Sequence, residues 1–293
     1  MGHAREARAE IMTLAAEQID PPVRDPVSNV LKWVLLVVAI ATFGLLAWAT
    51  VLTYRTAPPQ PDRFVSANGT VLMTDDDIVA GKGGFQKADL MDYGSLYGMG
   101  SYYGEDYTAW ILVTLGKETQ NNISLATLGK QFADLTVDQQ ASAAATMRRA
   151  LQGVDLTRSE VVLPTPLADA LVRVRDDLAK TLNTADPAAG WTPAYSLTPP
   201  LAAKTADFLV FSALTTVARR PGTTWSWTEN WPFEPLVGNT PTTNTFKWTW
   251  ISFCFTFFAF GVVIFIYEFF LNHPDDAPMD PVLAKFRPLT ASQ

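Results

Sequence analysis

The chain has 293 residues, 48% of them hydrophobic, and a formal net charge of −7 at pH 7. A balance this acidic offers no basic footprint for nucleic acid. One cysteine, Cys254, excludes an internal disulfide and a Cys-x-x-Cys-His haem attachment. The two histidines, His3 and His273, lie outside the segment between the chain's two apolar runs, which leaves that segment no zinc cluster and no Ser-His-Asp or Cys-His arrangement.

Two apolar runs stand out from the acidic average. Residues 33–54 hold no charge, and neither do residues 248–267, WTWISFCFTFFAFGVVIFIY. At about 1.5 Å per helical residue, each is long enough for a ~30 Å hydrocarbon layer. Ala47-Trp48-Ala49 could be a cleavage triplet, but the apolar stretch and the segment before it are too long for a signal peptide, so a retained anchor is expected. Arg5, Arg8, Arg24 and Lys32 precede the first run and Lys285 and Arg287 follow the second. Arg55, Arg63 and Lys247 lie between them. This modest bias puts both termini in the cytoplasm and the intervening domain in the periplasm. The expected organisation is therefore a cytoplasmic segment (1–30), a first span (31–54), an external domain (55–246), a second span (247–271) and a cytoplasmic tail (272–293). Trp225, Trp227, Trp231, Trp248 and Trp250 gather at the outer end of the second span, as an interfacial aromatic belt does.

The domain reads as mainly α. The pattern predicts helices over 105–117, with Tyr107, Trp110, Ile111 and Thr114 on one side, and over 137–152 behind the capping box Thr136-Val137-Asp138-Gln139. A third runs over 166–182, with Leu167, Leu171, Val174 and Leu178 at helical spacing. A fourth follows Thr198-Pro199 to about residue 219 and turns Phe208, Leu209, Phe211 and Leu214 to the core. Residues 71–73 and 161–163 are short strand candidates. Asp75-Asp76-Asp77 reads as a helix start before Ile78 rather than a metal site, because three adjacent acids converge poorly. Gly81-Lys82-Gly83-Gly84 lacks the spacing and context of a phosphate loop.

Residues 89–106, DLMDYGSLYGMGSYYGED, are dense in glycine, tyrosine and acids. Glycine permits tight turns. Bare carbonyls beside phenols and carboxylates are hard oxygen donors for calcium or for a polar partner. An ordinary solvated loop is the blander reading of the same composition. Residues 225–244, WSWTENWPFEPLVGNTPTTN, read as a rigid loop hugging the membrane, with an aromatic platform for a quinone head group as the alternative. Glu268 is a proton-relay candidate that more simply reaches the membrane interface.

The strings YGSLYGMGSYYGEDYTAW and TENWPFEPLVGNTPTTNTF resemble the amino-terminal part of quinol-dependent nitric oxide reductase. That part is similar to the membrane-anchored cytochrome c subunit of the cytochrome-dependent enzyme. With the two anchors, the resemblance covers nearly the whole chain. It implies a haem-less cytochrome c-like domain, because Leu90, Tyr93 and Gly94 fall on the haem-attachment positions and none can hold covalent haem. It also implies that the Gly100 carbonyl and the Tyr102 hydroxyl join a calcium ion at the junction with a haem–copper-oxidase-type catalytic subunit. Haem b, a high-spin haem b and a non-haem iron then belong to that partner, and quinol supplies the electrons. Glu105 and Asp106 are expected to form interface hydrogen bonds or a helix start. The catalytic histidines of the fused family are absent here, so the chain is read either as a separate subunit or as one fragment of a fused enzyme. A non-catalytic periplasmic scaffold or interaction module is the rival. Aromatic faces can pack on other helices or on membrane lipid, and the Phe-rich second span (Phe253, Phe255, Phe257, Phe258, Phe260) is expected to lie against the catalytic chain or a second copy of the enzyme.

Overall fold

The computed structural model describes residues 29–98 and 104–267. It divides into two compact units, residues 1–57 and 58–293.

The first unit holds helix α1 (Asn29–Thr56), which is longer at both ends than the expected span. Its hydroxyls do not interrupt it. Thr50, Thr53 and Thr56 donate to the carbonyls of Leu46, Ala49 and Leu52, each at 2.8 Å, so these three hydroxyls are satisfied within an apolar helix. Helix α7 (Thr243–Ile266) closes the second unit and treats its hydroxyls alike, with Thr249 and Thr256 donating to Thr245 and Ser252. The most apolar stretches of both helices are wholly unburied, with mean hydropathies of 2.4 and 2.2. Length, composition and exposure together mark them as the two membrane-spanning candidates among the described residues, since exposing this much apolar surface to water has no compensating burial.

Between them in the chain comes a helical domain on a small sheet. Strands β1 (Arg63–Ser66) and β2 (Val71–Thr74) form an antiparallel hairpin with a bulge between Phe64 and Val65. Gly69, at φ +85°, makes its turn. Strand β3 (Glu160–Leu163) pairs with β1 in parallel, giving the order β2-β1-β3. β1 carries too little pattern to be read from sequence. It is a four-residue piece just after a proline-rich stretch, and a partner far along the chain stabilises it.

Helix α2 (Asp75–Lys87) begins at the acidic triplet. Thr74 and Asp77 form a reciprocal capping box, and Asp77 Oδ1 also meets Lys204 Nζ at 3.1 Å. Helices α3 (Tyr107–Leu128), α4 (Val137–Gln152), α5 (Thr165–Leu182) and α6 (Pro199–Val217) follow. The capping box at Thr136 and Gln139 forms as expected. Thr198 precedes α6 but caps it without a side-chain hydrogen bond.

Three expectations need correction. α3 continues past Lys117 to Leu128, because its polar second half is anchored sideways. Asn121 accepts from the Phe132 amide and Asn122 donates to the Pro166 carbonyl. Trp110 faces out, while Leu112 and Leu115 face in. α6 is not one-sided either. Residues 205–217 are buried on every face except at Phe208, which packs only partly against the core. The other helices of the domain gather around α6.

The tightest of these contacts is between α2 and α6. A Cβ on Gly81 would lie 1.9 Å from the Lys204 carbonyl oxygen, and one on Gly84 would lie 2.1 Å from Thr205 Oγ1. The glycine cluster is thus a packing notch within a helix. Gly83, one step round the helix, is exposed and has nothing within 4 Å of its Cβ position. Two substitutions of identical chemistry should therefore diverge. Gly83→Ala, which gains helix propensity freely, should stabilise the domain by about 0.5–1 kcal/mol. Gly81→Ala should destabilise it by about 1–3 kcal/mol as α2 and α6 are pushed apart. Thermal unfolding of the detergent-solubilised chain, followed at 222 nm, measures both.

Candidate functional site

The two strings that stand out in the sequence meet in space. The first is organised by one carboxylate. Asp106 caps α3, accepting the Ala109 amide at 2.8 Å, and it also takes the Thr108 hydroxyl. Its second oxygen accepts Ser95 Oγ at 2.9 Å and the Gly98 amide at 2.6 Å. Backbone pairing reinforces this closure: the Ser95 amide donates to the Glu105 carbonyl (3.1 Å) and the Tyr107 amide to the Ser95 carbonyl (2.9 Å). The two described ends of this stretch, residues 95–98 and 104–106, are held together by a saturated acceptor. Asp106 therefore performs the helix-start role expected for it. Glu105 is exposed, and its carbonyl joins the closure.

The second string is a strap, residues 225–242, between α6 and α7. Trp231 Nε1 donates to the Tyr97 carbonyl at 2.5 Å, which ties the strap to the loop. The approach demands glycine at position 98. Gly98 has φ +63°, and a Cβ there would fall 2.5 Å from Trp231 Nε1. Ser226 and Asn230 exchange hydrogen bonds of 2.8 and 2.9 Å, and Asn230 Nδ2 reaches the Thr240 carbonyl. Buried Asn239 donates to the Thr216 carbonyl at 2.8 Å, and Arg148 on α4 donates to the Leu236 and Pro235 carbonyls. Glu229 holds the strap to the membrane helix. Its carboxylate accepts from Thr242 Oγ1 (2.5 Å) and Asn244 Nδ2 (2.8 Å), at the first turn of α7. Most of the strap's polar groups are thus paired within the domain, with the buried Trp227 Nε1 as an exception.

Leu90, Tyr93 and Gly94, the haem-attachment positions implied by the resemblance, are all spoken for by packing. Leu90 is fully buried and its carbonyl accepts the Tyr107 hydroxyl at 3.0 Å. Tyr93 stacks edge-on to Trp191 at 5.0 Å and its hydroxyl is 2.8 Å from Thr192 Oγ1. A Cβ on Gly94 would collide with the Glu105 carbonyl and the Tyr107 ring. Tyr107 in turn packs edge-on to Phe85 at 6.2 Å, and Phe85 meets Phe208. Burial, with Tyr93 adding, pushes the Tyr107 phenol far above its ordinary range, so it stays neutral and donating.

A third feature lies across α2, α5 and α6. Asp207 is buried on α6, 3.8 Å from Arg175 Nε, and its Oδ1 accepts no hydrogen bond. Arg175 spends its donors on the Leu72 carbonyl (2.7 Å) and on Asp176 (3.0 Å). Burial pushes the Asp207 carboxyl up to about 7, against the pull of Arg175 and Lys204 and with the help of Asp77 and Asp176. Burial likewise raises Asp77, but hydrogen bonds from Thr74 and Lys204 outweigh it and leave that carboxyl below its ordinary value. An acid set in the apolar run of α6 was the sequence signal for Asp207; its partners came only with the fold.

Gly100 and Tyr102, the expected calcium donors, lie outside the described residues, as do Glu268 and both histidines. The structure places the two ends of their loop, not the donors themselves. Among the described residues no group of three or more His, Cys, Asp or Glu side chains is arranged to hold a metal.

The family model for the NorB cytochrome c-like domain of nitric oxide reductase matches residues 61–233, more than half of the chain. No curated protein matches the chain.

Two measurements probe this geometry. Asp106→Ala removes a helix cap and strips partners from Ser95 and the Gly98 amide, and should cost about 2–4 kcal/mol. Hydrogen exchange should then quicken at residues 95–98 before global unfolding. Asp207 sets a pH dependence. Its folded value lies above the ordinary 3.8, so the folded chain keeps a proton that the unfolded chain releases. Stability should fall as pH rises from about 4 to about 7 and level off above. Asp207→Asn should flatten that slope and raise stability at pH 8 by roughly 1–3 kcal/mol, read from melting temperatures across pH.

Proposed function

From the premise that this chain belongs to the NorB cytochrome c-like domain family of nitric oxide reductase, we propose that it is the membrane-anchored accessory part of a quinol-dependent nitric oxide reductase. The family is part of nitric oxide reductase, which implies a catalytic partner. In the proposed complex that partner carries haem b, the high-spin haem and the non-haem iron, and converts 2 NO, 2 H⁺ and 2 e⁻ to N₂O and H₂O. Quinol is the electron donor. The domain stands on the periplasmic side, both termini are cytoplasmic, and the chain contributes no redox group of its own.

One observation carries this reading. The Ser95–Asp106 loop and the strap, far apart in sequence, are joined at Trp231 and Tyr97, and the strap is bonded through Glu229 to the first turn of α7. The loop end, strap and span are thus bonded in series, an arrangement suited to a partner that is itself in the membrane. Most of the described polar groups of the strap are already paired, so docking there needs little reordering.

The proposal extends to calcium at the junction, with the Gly100 carbonyl and the Tyr102 hydroxyl as this chain's share. A carbonyl and a neutral phenol are two hard donors of the 6–8 that calcium takes, so charge and the other ligands come from the partner. The bound ion would neutralise carboxylates across the junction and hold the loop against it. The residues at hand support this to the extent that Asp106 closes the loop and is itself too fully engaged to serve as a ligand.

Co-expression with a catalytic chain tests the reading. The expected outcome is a stable complex that reduces NO with a water-soluble quinol, while this chain purified alone shows no stoichiometric Soret band. In the complex, Tyr102→Phe should lower calcium content by elemental analysis and slow turnover without shifting the melting of this domain. A chain that neither co-purifies with nor stabilises a catalytic chain belongs to the scaffold reading instead.

A further inference from the structure

The tryptophans around the second span do not share one role. Trp231 turns inward, its Nε1 on the Tyr97 carbonyl. Trp227 also turns inward, packing partly against the core with the Arg220 guanidinium 5.0 Å above its ring and its own Nε1 buried. Trp225 and Phe233 turn outward, 36% and 59% exposed, on a loop otherwise held by internal bonds. Glu229, midway between them, accepts from Thr242 and Asn244 at the first turn of α7, and the Thr242 amide donates to its carbonyl at 3.2 Å. The Arg219–Ser226 and Glu234–Asn239 bridges fold the strap back on itself, and Trp225 and Phe233 each stand four residues along the chain from Glu229.

A spanning helix enters the bilayer at its first turn, and the head-group zone reaches about 5–8 Å beyond the hydrocarbon. Exposed Phe246 and Trp248 mark that level on α7. We propose that the strap is a lipid-surface foot: Trp225 and Phe233 enter the head-group region of the bilayer and continue the aromatic collar that Phe246 and Trp248 begin. The chemistry suits lipid. The acids of the strap are occupied, Glu229 at the span and Glu234 by the Leu236 amide at 3.1 Å. Its cations, Arg219, Arg220 and Lys247, flank the aromatic groups at either end, as in interfacial segments. The foot fixes the height of the domain above the membrane, and with it the height of the Tyr97–Trp231 junction. It rests on α7 being a span and is independent of the partner.

The test uses the full chain in phosphatidylcholine nanodiscs, with Cys254→Ser and single nitroxide labels. Labels go on Trp225→Cys and Phe233→Cys. Phe257→Cys on α7 is the lipid reference, and Val137→Cys and Tyr195→Cys are the water references, being 81% and 73% exposed elsewhere in the domain. Collision with oxygen is compared with collision with a water-soluble nickel chelate. The expected result is an oxygen-to-nickel ratio at 225 and 233 several-fold above that at 137 and 195, approaching that at 257. A ratio at 225 and 233 equal to the water references overturns the proposal. So does shielding from both quenchers, or dipolar broadening between labels on two copies, because protein rather than lipid would then cover the foot.

Discussion

One carboxylate holds the first part of the site in place. Asp106 accepts four hydrogen bonds, two from the start of α3 and two from the far side of the Ser95–Asp106 loop. A side chain that satisfied only the helix would cap α3 and leave the loop free. One that satisfied only the loop would leave the first turn of α3 with bare amides. Because both demands fall on the same group, the loop cannot move without uncapping the helix. Tyr97 and Gly98 are consequently fixed where Trp231 can reach them, and the strap is registered against the loop through that one indole. Order passes from a helix cap to a loop, from the loop to the strap, and through Glu229 to a membrane helix.

The same logic explains why the interior tolerates so much polarity. α6 is enclosed on nearly every side, yet carries Thr205, Asp207, Ser212, Thr215 and Thr216 in its buried stretch. The hydroxyls fold back on their own helix, as Thr205 does to the Leu201 carbonyl and Ser212 to that of Phe208. They cost little and permit the close approach of α2 at Gly84. Asp207 cannot satisfy itself in this way. Its nearest cation is at 3.8 Å and is already engaged by Asp176 and the Leu72 carbonyl, so burial outweighs attraction and the acid holds its proton towards neutral pH. It is the one place among these where the fold keeps a group in an environment that disfavours its usual charge.

The three positions that the resemblance in sequence aligns with haem attachment are packing positions in this chain. Leu90, Tyr93 and Gly94 lie among Tyr107, Phe85 and Trp191, and each has a packing duty there. Edge-to-face aromatic contacts and the bond from Tyr107 to the Leu90 carbonyl add cohesion there.

The sequence by itself marked the two candidate spans, because twenty uncharged apolar residues match the thickness of a bilayer and the structure leaves them unburied. It determined most of the helices as well, because capping boxes and the 3.6-residue period are local: Thr136 with Gln139, Leu167 through Leu178, and the acidic start at Asp75 are all where pattern alone puts them. It also marked the two strings of the site by their odd composition. Only the tertiary structure decided that those strings touch, that β1 is a strand, that Trp110 faces out while Trp231 faces in, and that Gly81 is a packing notch. It alone set Asp207 beside an arginine that cannot serve it. Each of these depends on a partner many residues away, Trp231 on Tyr97, β1 on β3, Gly81 on Lys204, and contacts that close long loops leave no periodic trace in the residues that make them.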